Sequence, residues 1–432
     1  MRRNVEAGLL CLAVLAGFYQ FFHLAGTGFG RGFEMAAIAK SLVDHGTYGN
    51  PFEPAITGPT ALVPPLYPLF LAALLKIFGS LLGMALVADS VNIFANALIA
   101  ALMPRLSEVF FEDWRPGAFA GLLWICSMRL MPQWDASCTI AGLVVFCLVT
   151  ARTIGHVRTP AWQAAAAGLL AGMLSLLNPA TAIVFLSWTA FLLFQRRAGL
   201  KGAARYAAVL LLVLSACNAP WVVRNYRIWH AFVLRTSFGI TLYSSNNSCA
   251  ESSLVKDAAH GCFQATHPVA SLAEAGLLAR LGEVQYDRDR AAAAWAWIRG
   301  NPARFRQLTL ARIIEFWFPE PIVPPYPAYG IWAITLLSIP GMALMARQRH
   351  AVALFVLAVW LVYPLMYYLV VSCDRYRYPI LWTSMLPAGY CLAALAKRKR
   401  LQSPLLYSEH RALADQRLAA EPGRAGRRQL SA

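Results

Sequence analysis

The stretch GRGFEMAAIAKSLVDHGTYGNPFEPAITGPTALVPPLY, residues 30–67, is the one around which the rest of this sequence is organised. It lies between two apolar segments and contains Glu34, Asp44, His45 and Glu53, although charge is scarce across most of the first half of the chain. It also contains five prolines, which favour turns over a long helix. We interpret it as a structured, non-cytoplasmic loop that carries an acidic group used in chemistry.

The overall composition is that of a membrane protein with many spans. Of the 432 residues, 58% are hydrophobic and only 14% are charged, and the mean hydropathy is +0.51. A soluble domain is about 45–50% apolar and about 25% charged. The successive apolar runs therefore predict an all-α polytopic membrane protein with about 10–11 transmembrane helices.

The net charge of +17 does not point to nucleic acid as a partner. Most of the basic excess lies in loops and in the tail, where it favours retention on the cytoplasmic side and attraction to anionic membrane lipids. The sequence has no compact basic domain with interleaved aromatic residues that would follow a phosphate backbone.

The apolar runs divide the chain into four regions. We expect the first to be an N-terminal transmembrane catalytic module that includes an outer loop, and the second to be a roughly 100-residue extracytoplasmic soluble insertion. C-terminal transmembrane helices and a basic, disordered cytoplasmic tail follow. The predicted ranges are 1–223 with its loop at 26–65, 224–326, 327–396 and 397–432.

Several local features refine this division. Phe33–His45 reads as a short amphipathic helix on the membrane surface. Leu66–Phe78 is apolar but short for a span, so we expect a re-entrant or juxtamembrane helix and about ten true spans. Within the insertion, residues 230–247 read as strand-like or irregular. Cys249 and Cys262 would form a disulfide if the insertion is extracytoplasmic.

The charged residues expected on the outer side favour one kind of chemistry. Arginine forks bind phosphate through paired hydrogen bonds, and a nearby carboxylate can accept a proton from a hydroxyl group. Together they suit a reaction in which an anionic phosphate leaves and an alcohol attacks. The outer set is Arg31, Glu34, Asp44, His45, Asp135, Arg224, Arg227, Arg375 and Arg377.

Structural roles remain open for the same residues. Asp135 could cap a helix N-terminus, and Glu34 could be a surface residue of its amphipathic helix. Arg224 and Arg227 could be anchors at the membrane interface. Arg375 and Arg377, with Tyr376 and Tyr378, could form an aromatic–basic belt. Such a belt would place positive charge on the outer side, against the usual bias, and this favours anion binding instead.

Four segments resemble the C-type membrane glycosyltransferases, which include the protein O-mannosyltransferases and the aminoarabinose transferase of lipid A. In this family, as in this sequence, a first apolar span is followed by an outer loop with an acidic residue, and the quoted segments come after it. The resemblance in architecture covers most of residues 1–396. The motifs are short. They are ALVPPLYPLFLAALLKIFG at 61–79, NPA at 178–180, PWVVRNYRIWHAFVLRTSFG at 220–239 and DRYRYPI at 374–380.

The resemblance implies a polyprenyl-phosphate-linked sugar as donor, membrane lipids as surroundings, and a general base in the first outer loop with inversion at the anomeric carbon. By this resemblance Glu34 is the base, although the family more often has Asp there, and Asp135 is a second acidic residue. A divalent metal is used by some relatives, but no ligand cluster in this sequence demands one. Donor-phosphate binding would fall to Arg224, Arg375 and Arg377, and substrate binding to Arg31, His45, Tyr67, Asn225 and Tyr376.

We therefore expect a membrane glycosyltransferase with its site on the periplasmic or extracellular side of a bacterial-type inner membrane. The sequence identifies neither the sugar nor the acceptor. The alternative is a non-enzymatic transporter or binding scaffold for lipid-linked sugars with the same architecture. A transporter should carry charges at mid-membrane depth and paired interrupted helices, whereas the charge here gathers at one face and favours an enzyme.

Overall fold

The computed structural model describes residues 1–24, 33–152, 160–195, 199–321 and 328–401, which are mostly helical. In these ranges, strand-like pairing is limited to two isolated bridges. The helices are α1 (Arg2–Leu24), α2 (Phe33–His45), α3 (Leu66–Phe78), α4 (Leu81–Phe111), α5 (Arg115–Ser127), α6 (Ala136–Ala151), α7 (Ala161–Leu177), α8 (Thr181–Gln195), α9 (Gly199–Trp229), α10 (Phe238–Ser245), α11 (Leu254–Ala259), α12 (Cys262–Thr266), α13 (Leu272–Leu281), α14 (Glu283–Gly300), α15 (Pro302–Trp317), α16 (Ala328–Arg347), α17 (Val352–Val362), α18 (Pro364–Tyr368) and α19 (Asp374–Leu401).

The helices confirm the predicted all-α polytopic membrane protein. Among the described residues, five helices are long and apolar enough to cross a membrane: α1, α4, α9, α16 and α19. Shorter apolar helices pack among them, namely α3, α6, α7, α8 and the pair α17–α18. The buried faces of the bundle form one large apolar core that runs from Leu9 in α1 to Ala388 in α19.

The antiparallel packing of α1 against α4 decides how α2 and α3 are placed. Arg2 pairs with Glu108, and Glu6 Oε2 lies 3.0 Å from Arg105 Nη2, so the start of α1 lies beside the end of α4. With α1 and α4 both across a membrane, the chain between them would begin and end on the same side. A 13-residue helix rises about 20 Å, less than the hydrocarbon core of about 30 Å, so neither α2 nor α3 is long enough to span it by itself.

The two ends of the helix bundle are covered differently. At one end, which we call the basic end, Arg115, Lys397 and Asp113 line a cavity together with Gln348 and Tyr390. Arg2 and Arg105 lie at this same end of α1 and α4. The opposite end, which we call the loop end, carries α2, α3 and the insertion formed by α10–α15.

The insertion differs locally from the sequence-based expectation. Helix α9 continues to Trp229, beyond the expected start of the insertion at residue 224. Residues 238–245 form helix α10, although 230–247 was expected to be strand-like or irregular. The reason is tertiary, because α10 packs closely on α14 and a Cβ added at Gly239 would lie 1.8 Å from the Asp287 carbonyl oxygen. Cys249 and Cys262 form the predicted disulfide.

A buried carboxyl group ties the first loop to the insertion. Glu283, at the start of α14, is 2% exposed. It accepts hydrogen bonds from the hydroxyl groups of Thr60 and Thr236, and its Oε1 accepts the Ala61 N–H at 2.6 Å. Because these donors come from distant parts of the chain, Glu283 fixes the segment that leads into α3 against the insertion.

Candidate active site

A cavity of about 130 Å³ lies at the loop end, where α2, the segment before α3, the start of α6, the insertion and α19 meet. Its acidic and basic lining residues are Glu34, Asp135, Arg235, His267 and Arg375. They come from five separate parts of the sequence. The fold therefore concentrates charge above an otherwise apolar helix bundle, which marks the cavity as the candidate site.

Glu34 lies in the first turn of α2 and lines this cavity. Met35 and Ile38 are buried in a small apolar cluster shared with α3, and this packing orients the helix. Glu34 is half-buried, and it lies next to Met35 in the part of α2 that lines the cavity. Its charge acts on the Arg375 guanidinium, so the two predicted site residues lie near each other. A position in the first helical turn also suits an acidic residue.

Asp135 precedes α6 and is 2% exposed. Its carboxylate makes no capping hydrogen bond to α6, although it stands at the N-cap position. Its Oδ2 instead accepts the Thr139 hydroxyl at 3.1 Å, and Asn178 donates a further hydrogen bond. Burial raises the pKa of Asp135 to about 6, against the opposing effects of these bonds and of the Arg235 charge. A carboxyl group with such a pKa can exchange a proton near neutral pH.

Arg375 lies in the first turn of α19, and aromatic rings fix its orientation. Its guanidinium carbon is 4.9 Å from the centre of the Trp134 ring and 5.6 Å from that of Tyr376. Tyr376 also lines the cavity, and its ring stacks on Tyr367 at 4.8 Å. Stacking of this kind holds an arginine in one plane, which suits recognition of a phosphate through paired hydrogen bonds.

Arg235, Asn178 and His267 line the cavity but were not among the predicted site residues. Arg235 Nε donates to the Leu62 carbonyl at 2.9 Å, and its charge acts on Asp135. Asn178 hydrogen-bonds Asp135, and His267 enters from the insertion. The first two lie in segments that carry the family resemblance, so their positions were available as a signal. Nothing in the local sequence distinguishes His267.

Arg224 and Asn225 do not line this cavity. Arg224 donates to the carbonyl of Thr60 from Nη1 at 2.7 Å and to that of Tyr48 from Nη2 at 2.9 Å. Asn225 is fully buried and donates to the Val233 carbonyl at 2.8 Å. Both side chains therefore join the end of α9 to loop backbone.

Three more of the predicted site residues, His45, Tyr67 and Arg377, do not line the cavity. Arg31 lies outside the described residues. Arg377 is 3% exposed, and its Nη1 donates to the Trp317 carbonyl at 2.6 Å. The Tyr67 hydroxyl is buried and accepts a hydrogen bond from Asn92 at 3.0 Å. His45 is exposed at the end of α2. Arg375 is thus the one arginine, of the three expected at the donor phosphate, that lines the cavity.

The described part of the chain contains no group of three or more His, Cys, Asp or Glu side chains placed to hold a metal ion. The described cavity residues therefore do not form a metal centre by themselves.

No family model and no curated protein matches this sequence. Among solved structures, the oligosaccharyltransferase AglB from Archaeoglobus fulgidus, in complex with an inhibitory peptide and a dolichol-phosphate, matches with a TM-score of 0.54 and 12% identity, over 93% of this chain and 52% of that one. The same enzyme tethered to an acceptor peptide gives a TM-score of 0.57 and 15% identity, over 93% and 50%. ArnT from Cupriavidus metallidurans bound to undecaprenyl phosphate gives a TM-score of 0.38 and 14% identity, over 91% of this chain and 79% of that one.

The likeness to AglB shows the fold. The chain shares the fold of this membrane oligosaccharyltransferase, and the predicted resemblance is thereby confirmed for the fold alone. The chain spans about half the length of the oligosaccharyltransferase that it matches.

Proposed function

We propose that this chain, which has the fold of the C-type membrane glycosyltransferases, transfers a sugar from a polyprenyl-phosphate donor to a hydroxyl acceptor with inversion at the anomeric carbon. One observation supports this above all: Glu34, Asp135, Arg235 and Arg375 converge in one cavity at the end of a membrane helix bundle. The AglB structure that shares the fold contains a dolichol-phosphate, which is a lipid carrier of the same chemical class.

The leaving group would be the lipid phosphate. When the bond between the anomeric carbon and the phosphate oxygen breaks, its electron pair stays on that oxygen. Arg375, held in place by Trp134, would bind the phosphate and stabilise this developing charge, and Arg235 would add a second positive charge. Preorganised charges in a partly dry cavity act more strongly than the same charges in water.

The nucleophile would be the acceptor oxygen, which attacks the anomeric carbon from the face opposite the phosphate. Glu34 would accept the proton that this oxygen loses. Arg375 interacts with Glu34, so a phosphate that competes for the guanidinium would release the carboxylate for this role. Asp135, buried beside Arg235 and Asn178, would hold a sugar or acceptor hydroxyl and keep Arg235 in place.

We place the site on the periplasmic or extracellular side of a bacterial-type inner membrane. The basic end would face the cytoplasm by the positive-inside rule, which puts the loop end outside. The disulfide between Cys249 and Cys262 supports this orientation, because such bonds persist in oxidising compartments. Exposed positions provide a test: cysteines at Ile56 and Leu272 should react with an impermeant reagent in intact cells, and one at Glu112 should react only after lysis.

Transfer of a radiolabelled sugar from a polyprenyl-phosphate donor to cell-envelope acceptors tests the function. Loss of a general base typically costs about 10²–10⁴-fold in rate, so Glu34→Gln should reduce transfer by at least about 100-fold. Asp135→Asn should also reduce it. Glu53→Gln, in the same loop but paired with Lys40 outside the cavity, is the matched control and should keep activity.

Two results would contradict the proposal. Normal turnover by Glu34→Gln would remove the assignment of Glu34 as the base. Lipid-linked sugar that crosses the membrane or stays bound, with no transfer by the unmodified protein to any envelope fraction, would favour the transporter or binding scaffold instead.

A further inference from the structure

His267 is a cavity residue to which the proposed transfer step assigns no role. It follows α12, and its Nδ1 accepts the Val269 N–H at 3.2 Å. Its ring stacks on that of Phe263, with the ring centres 4.9 Å apart. It also makes an edge-to-face contact with Phe52 of the first loop, with the ring centres 5.8 Å apart. Because both the insertion and the first loop hold the ring, its orientation in the cavity is defined.

The hydrogen bond to Val269 also defines which ring nitrogen carries a proton. A nitrogen that accepts a hydrogen bond has none, so in the neutral imidazole the proton is on Nε2. Burial and the positive charge of Arg375 lower the pKa of His267 to about 4, so the ring is neutral at physiological pH. Within the part of the chain that the structure describes, Nε2 has no hydrogen-bond partner, although the ring lines the cavity.

We propose that the His267 Nε2–H donates a hydrogen bond to a hydroxyl group of the transferred sugar, and that His267 helps to select that sugar. This inference rests on the proposed function. A neutral N–H group can donate a hydrogen bond to a neutral sugar hydroxyl, whereas the negatively charged phosphate would bind to the positively charged Arg375. The two side chains are close enough for the Arg375 charge to act on the imidazole. A donor phosphate held at Arg375 would be esterified to the polyprenyl chain through one oxygen and to the sugar through another, and only the sugar has hydroxyl groups to offer to His267.

Binding of two lipids to the purified full-length chain separates recognition of the sugar from recognition of the phosphate. The probes are undecaprenyl phosphate and the same lipid carrying mannose or glucose. His267→Met has a similar size and no donor, and one lost hydrogen bond should weaken binding of the sugar-bearing lipid by up to about tenfold. Undecaprenyl phosphate should bind within about twofold of its original affinity, since the phosphate contacts are unchanged.

His267→Gln and His260→Ala complete the design. The glutamine amide can place an N–H near the original Nε2, so this variant should recover most of the affinity for the sugar-bearing lipid. His260 is exposed on the same insertion, and its replacement should change neither affinity. Because Met and Gln are close in size, a difference between them reports the donor and not the packing.

Three outcomes would overturn the inference. Equal weakening of both lipids by His267→Met would mean that His267 only supports the cavity wall. Equal affinities of the Met and Gln variants would mean that the donor is not used. Unchanged binding of both lipids by His267→Met, with a raised acceptor KM in the transfer assay, would assign His267 to the acceptor. If the unmodified chain binds neither lipid, the proposed function itself fails, and this result is distinct from the other three.

Discussion

Replacing Glu283 with glutamine should remove a pH dependence of stability that the buried carboxyl group creates. Glu283 is 2% exposed and accepts hydrogen bonds from Thr60, Ala61 and Thr236. Burial nevertheless dominates and raises its pKa from 4.5 to about 7, and the nearby Asp287 charge acts in the same direction. Glutamine keeps the shape, one acceptor and two donors, so it resembles the protonated form.

The direction follows from proton binding. Between pH 4.5 and about 7 the folded protein holds the Glu283 proton while the unfolded chain has lost it, so stability falls as pH rises through this window. A shift from 4.5 to about 7 corresponds to about 3 kcal/mol, at about 1.4 kcal/mol per pH unit. This contribution is fully present below pH 4.5 and lost above about 7.

Thermal unfolding in detergent at pH 5 and pH 8 measures the effect. With an unfolding entropy of about 2.1 cal/mol/K per residue, a 432-residue chain changes its Tm by about 1 °C per kcal/mol. The difference in Tm, Glu283→Gln minus the unmodified protein, should therefore be about 3 °C larger at pH 8 than at pH 5. Other carboxyl groups titrate in both proteins and cancel.

Glu53→Gln is the control, because Glu53 is exposed and should show little such change. A Glu283→Gln difference that is the same at both pH values, or that changes in the opposite direction, would refute the interpretation of Glu283 as a buried carboxyl group that is neutral at low pH.

The remaining predictions concern the site and its support. Arg375→Ala should weaken undecaprenyl phosphate binding by about 10- to 100-fold, since hydrogen bonds to charged groups contribute about 1.5–3 kcal/mol, and unchanged affinity would exclude Arg375 as the phosphate ligand. Gly239→Ala should lower Tm or expression, because the new Cβ would overlap the Asp287 carbonyl, whereas Gly300→Ala, with open space around it, should not. Cys249 and Cys262 should react with a thiol reagent under denaturing conditions only after reduction, as mass spectrometry would show; prior reaction would exclude the disulfide.

Much of the fold could be predicted because its signals are local. The bounds expected for the surface helix and for the short apolar helix are those of α2 and α3. Hydropathy over a window of one span depends only on neighbouring residues, and this is why the membrane class was evident. Residues 238–245 were not recognised as a helix, because their packing against α14 outweighs local preference.

The candidate site was predicted only in part. Glu34, Asp135, Arg375 and Tyr376 do line one cavity, whereas Arg224 and Arg377 hydrogen-bond backbone elsewhere. The sequence favoured each of these arginines equally, since each follows or begins an apolar span. Their difference depends on which neighbouring carbonyl groups the folded chain offers to each guanidinium.

By itself, then, the sequence determined that this is a helical membrane protein with little charge in its apolar segments, because length, hydropathy and charge are properties of continuous segments. Only the tertiary structure decided that Arg235 lies near Asp135, whereas Arg224 hydrogen-bonds to backbone of the first loop. It also decided that His267 lines the same cavity as Asp135. The reason is that a site depends on how distant segments pack, and a residue's position along the chain does not specify which side chains it will meet.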